Sequence, residues 1–79
     1  MSPQDLRAKV AEEALRDATA YFQEFCRPFD VKDTLWGAAA WTDLRRDLSL
    51  APNVADELWP EYWETFRDET VRLAASSGQ

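Results

Sequence analysis

Apolar residues recur with a period near 3.6 along almost the whole chain, and the pattern predicts three helices. At about 100° per residue, Val10, Ala11, Ala14, Leu15, Ala18, Tyr21, Phe22 and Phe25 share one arc of about 140°. Lys9, Glu12, Glu13, Arg16, Asp17, Gln23 and Glu24 take the opposite side. Leu6 edges the stripe, and Arg7 breaks it near the free end, where a long side chain can keep its charge in water. Ser2 suits the N-cap, Pro3 the first helical position, and Asp5 the first turn, where a carboxylate meets the positive end of the dipole. Pro28 ends the element, because the residue before a proline is pushed out of the α region. The first helix is predicted over residues 3–26.

The second is predicted over 31–49. Asp30 is its candidate N-cap, with Asp33 three residues on, near the pattern of a capping box. Gly37, Ala40, Trp41, Leu44 and Leu48 form a stripe, while Leu35, Trp36 and Ala39 lie off it. The first half is therefore apolar nearly all round, as in a helix that touches neighbours on two sides. Arg45 and Arg46 complement the negative end of the dipole.

Leu50-Ala51-Pro52 connects to the third segment, which Asn53 can cap, with Asp56 in its first turn. Pro60 interrupts the pattern. It cannot donate to residue 56, and it pushes Trp59 away from the α region. A break into helices over 53–58 and 60–75 is favoured over a single kinked helix. Trp59, Tyr62, Trp63, Phe66, Thr70 and Leu73 continue the apolar stripe. No alternating run suggests a strand, and there is no repeat. The expected fold is all-α: one domain over 1–79, a small antiparallel bundle of three helices, the last broken or kinked at Pro60. Val10, Ala14, Tyr21, Phe25, Trp41, Leu44, Leu48, Trp59, Tyr62, Phe66 and Leu73 should converge in its core.

Size and composition then narrow the chemistry. Seventy-nine residues and 9.1 kDa allow one core, with a folded surface of roughly 4,900 Å². There is no His, so the commonest general acid/base and metal ligand is missing. One cysteine, Cys26, permits neither an intrachain disulfide nor a Cys-based zinc site. Cys26 is expected to be a buried structural thiol, since the C-terminal end of a helix disfavours a thiolate. The longest charge-free run, Thr34 to Thr42, has nine residues and cannot cross a bilayer. No basic segment leads into an apolar run, so a cytoplasmic protein is expected. Two glycines leave no phosphate-cradling loop.

Fifteen acids against nine bases give a net charge of -6, a poor footprint for a phosphate backbone. A helix-turn-helix reading fails on the same ground: its reader helix would carry Asn53, Asp56 and Glu57. Residues 56–69 hold Asp56, Glu57, Glu61, Glu64, Asp68 and Glu69 against Arg67 alone. Glu61, Glu64 and Asp68 share a helix face, a spacing a metal could use, but no second helix supplies His. The strip reads as a solvated face that can also steer a basic partner. Trp36 is hard to bury: either a neighbouring helix covers it, or it anchors an interface with Leu35 beside it.

The expected function is therefore that of a small acidic protein-binding module. It would dock on a larger macromolecule with a basic surface, such as a nucleic-acid-binding face, as inhibitor or adaptor. Its contact residues would be Asp56, Glu57, Glu61, Glu64, Asp68, Trp36 and Leu35. The alternative is a self-associating, homodimeric structural subunit with no activity of its own. No enzymatic activity, metal, cofactor, direct nucleic-acid contact or membrane contact is expected.

Overall fold

The computed structural model describes residues 2–77 and contains three α-helices: α1 (Pro3–Phe25), α2 (Thr34–Asp47) and α3 (Pro52–Ser76). A single 3₁₀ turn, Val31–Asp33, leads into α2. The order and spacing follow the apolar periodicity, and the fold is an all-α bundle.

The ends are set by local chemistry. The Ser2 hydroxyl accepts the Asp5 N–H, and Pro3 opens α1. Cys26 caps its other end in the left-handed region, φ 55°, so the helix stops before Pro28 is reached. Asp30 caps as expected, but it caps the 3₁₀ turn, accepting the Lys32 N–H at 2.9 Å. The α-helical part of the second element thus starts at Thr34 and ends at Asp47, two residues short of the expected end at 49. Ala51 is the N-cap of α3, with Pro52 in the first turn; Asn53, the expected cap, lies inside the helix.

The expected break at Pro60 is absent: α3 runs unbroken for 25 residues with Pro60 inside it. An internal proline costs about 3 kcal/mol. Burial on both sides offsets that cost, since Ala55 and Leu58 before it, and Tyr62, Phe66, Thr70 and Ala74 after it, all face the core. Pro60 and Asp56 both lie on the exposed side of the helix.

Side-chain pairs give the register. Arg7 meets Glu61, Asp17 meets Tyr62, and Tyr21 meets Phe66, so α1 and α3 run in the same direction. Trp36 meets Phe66 whereas Trp41 meets Tyr62 and Trp59, so α2 runs against α3. This is the up-down-up arrangement. Helices α1 and α3 share most of the interhelical contact, and α2 packs on them more sparingly.

The core holds Val10, Ala14, Ala18, Tyr21, Trp41, Leu44, Ala55, Leu58, Tyr62 and Phe66. Phe25, Leu48 and Trp59 pack against it half-buried, and Leu73 is half-buried beyond it. Leu15, expected on the buried arc, is 43% exposed. Cys26 is exposed as well, contrary to the buried thiol expected; it is the left-handed cap residue just past the last helical position.

Two polar ties lock the loop after α1. The Tyr21 hydroxyl donates to Asp33 at 2.6 Å, and Arg27 pairs with the same carboxylate. The Phe29 N–H donates to the Thr70 hydroxyl at 2.9 Å, which in turn donates to the Arg67 carbonyl. These bonds place Phe29 against Tyr21, Trp63 and Phe66.

Candidate functional site

The acids of α3 do not form one strip. At about 100° per residue, Glu57, Glu61, Glu64 and Asp68 fall within about 60° on the outer face, while Asp56 and Glu69 lie on its two flanks. Asp56, Glu57, Glu64 and Asp68 are exposed, and none has a cationic partner among the described residues. Glu61 is paired with Arg7 of α1 at 2.9 Å. Glu69 takes both ends of the Arg72 guanidinium, at 2.5 and 2.7 Å, and that contact holds its carboxyl below the usual range. Glu61, Glu64 and Asp68 line a shallow groove against Arg7, Ala8 and Ala11.

Leu35 and Trp36 lie elsewhere. Leu35 is 85% exposed at the start of α2, one turn after Val31, which is 80% exposed. Trp36 is half-buried, edge-on to Tyr21 at 5.3 Å and tilted over Phe66 at 5.7 Å. A neighbouring helix thus covers one face of Trp36. Its remaining surface lines a cleft between α1 and α2 that is separate from the α3 groove.

This cleft escaped the sequence reading. Its floor is Ala20, Trp36, Ala39, Ala40 and Leu44, and its walls are Glu13 and Asp17 on α1 and Asp43 and Asp47 on α2. The signal was present as two carboxylate pairs at i, i+4, with Trp36 about two turns ahead of the second. It was unreadable without knowing that α1 and α2 lie side by side.

Asp17 is a carboxylate whose pKa the fold raises. Burial raises its pKa first of all, opposed by the hydrogen bond that the Tyr62 hydroxyl donates to it at 2.7 Å. The charges of Glu13 and Asp43 raise it further and that of Arg16 lowers it. Burial, then the bond to Asp17, pushes the Tyr62 phenol well above its ordinary value. A carboxyl whose pKa is raised on folding binds more protons folded than unfolded just above pH 3.8, so its contribution falls as pH rises through that window. Asp17→Asn keeps an oxygen for Tyr62 and removes the charge. It should raise the Tm at pH 7 by a few degrees, on the order of 0.5 kcal/mol given the partial exposure. The gain should vanish near pH 3. Thermal melts at both pH values check this, and equal shifts at both would remove the charge as the cause.

Among the described residues no group of three or more His, Cys, Asp or Glu is placed to hold a metal ion. No described helix is long and apolar enough to cross a membrane. Comparison with protein-family models, curated proteins and solved structures gave no match.

Proposed function

We propose that the protein is a small acidic binding module whose α3 face docks on the basic surface of a larger macromolecule, as an inhibitor or adaptor. The observation that carries this reading is the distribution of unpaired charge. Four of the six α3 carboxylates, Asp56, Glu57, Glu64 and Asp68, are exposed and without cationic partners among the described residues, and three of these, Glu57, Glu64 and Asp68, gather with Glu61 on one helix face. Unneutralised like charge on one face raises the local potential and steers an oppositely charged partner. The net charge of -6 acts in the same direction.

The test starts with capture of the partner from the source organism by cross-linking, followed by association kinetics at two ionic strengths. Glu64→Lys with Asp68→Lys should slow association about tenfold at low salt and far less at high salt, where screening removes the field. Glu61 is left intact because its pair with Arg7 joins two helices. Exposed charges contribute little to stability, so the melting temperature should hold. Association unmoved by salt and by the double reversal would reduce the face to a solvated one.

The exposed pair Val31 and Leu35 favours a second reading, self-association through the start of α2. A chain that sediments as a dimer, and as a monomer once Leu35 is made Glu, would establish it in place of the first.

A further inference from the structure

We propose that the cleft between α1 and α2 is a second binding site, and that it takes a short amphipathic helix of a partner protein with Lys or Arg flanking an apolar ridge. The site is separate from the α3 face and stands or falls independently of docking there.

The floor comes first. Trp36 supplies a broad apolar surface, and Ala20, Ala39 and Ala40 keep the bottom shallow, so a backbone can approach closely. Helix α2 packs only sparingly on α1, which leaves this strip open. Along α2 the lining runs from Trp36 to Asp47, about 17 Å, or three turns of a docked helix. An apolar ridge of two or three side chains fills it.

The walls supply the sign and the spacing. Glu13 and Asp17 are one turn apart on one side, Asp43 and Asp47 one turn apart on the other, and no Lys or Arg lines the cleft. A helix that carries cations one turn apart on both flanks meets both pairs at once. Three of these acids have internal contacts. Glu13 lies 3.3 Å from Lys9 and 3.4 Å from Arg16, Asp43 lies 2.5 Å from Arg46, and Asp17 accepts the Tyr62 hydroxyl. The first two are ion pairs of partly exposed side chains, which exchange readily with a partner's cations. Asp47 is exposed and has no cationic partner among the described residues. The chemistry also selects against other occupants. A phosphate backbone is repelled by four carboxylates, and an extended polybasic chain makes no use of the Trp36 floor.

Asp17 adds a separate expectation. Its carboxyl is partly desolvated between Glu13 and Asp43, so a cation seated in the cleft relieves it and lowers its pKa toward the ordinary range.

The probe is an acetylated, amidated Leu/Lys peptide of about 14 residues patterned as an amphipathic helix. A Lys/Gly/Ser peptide of equal charge with no apolar face serves as control. Titration into the labelled protein should shift the amides of Ala20, Ala39, Ala40 and Asp43. Asp43→Asn with Asp47→Asn should weaken binding about tenfold, as should replacing the probe by the control. Glu64→Gln with Asp68→Asn should change it by less than about twofold. All four substituted side chains are exposed, so the fold should survive, and unchanged melting confirms that. Shifts confined to α3, equal losses from both variant pairs, a control that binds as tightly, or no binding at millimolar peptide would each overturn the assignment. The α3 variant separates this failure from failure of the docking face.

Discussion

Phe66→Ala is expected to cost about 3–5 kcal/mol, most of the stability available to so small a domain. Phe66 is fully buried at the point where all three helices and the loop after α1 meet. Its ring lies within 6.0 Å, centroid to centroid, of Tyr21, Phe29, Trp36, Tyr62 and Trp63. Rings held by so many neighbours cannot collapse into the space left behind, so the cavity contribution should be near its upper range. Urea unfolding measures the loss directly. A change below about 1 kcal/mol would place Phe66 outside the centre of the core.

Gly37→Val should cost about 2–3 kcal/mol, although replacing a helical glycine normally stabilises. Any Cβ at Gly37 would stand 2.5 Å from Cζ3 of Trp63. That ring is hemmed on one side by Phe29 at 4.6 Å, Trp59 at 5.2 Å and Phe66 at 5.8 Å, so moving aside disturbs the aromatic cluster. The closeness of α2 to α3 therefore rests on the missing side chain. In a Trp63→Leu background the penalty should fall by at least half, since the obstructing ring is gone. A double-mutant cycle measures this coupling, and strictly additive costs would show that Gly37 and Trp63 are not in contact.

These two sites were legible to different degrees. Phe66 was readable from period alone, because Trp59, Tyr62, Phe66 and Thr70 repeat at helical spacing and a stripe of that kind must be buried. Gly37 stood in the buried stripe of α2 with no sign of what it faced. That depends on the register of α2 against α3, which no local pattern encodes. The same difference separates the candidate surfaces. The α3 acids sit on one segment and were visible as a density of charge. The cleft draws its walls from residues 13–17 and 43–47, and only the packing of two helices brings them together.

Local energetics misled the reading at Pro60 and Cys26. Proline's missing donor predicts a break, and the C-terminal end of α1 disfavours a thiolate, which predicts a buried structural thiol at Cys26. Both inferences weigh one residue against its immediate neighbours. In the folded chain, Leu58, Tyr62 and Phe66 anchor α3 on either side of Pro60. Cys26 takes the left-handed cap conformation, φ 55°, and is exposed.

Periodicity and capping residues alone determined the all-α class, the bundle of three helical segments, the α1 boundaries to within a residue, and most of the core. Helix formation and stripe burial depend on residues three and four apart, which a sequence displays directly. Tertiary structure alone decided the continuity of α3, which acids are paired, and the existence of the cleft beside Trp36. Those outcomes depend on which residues distant in sequence come within a few ångströms, as Arg7 does with Glu61 at 2.9 Å and Asp17 with Tyr62 at 2.7 Å. Such contacts follow from the packing of whole helix faces, a sum over many weak interactions that no single segment contains.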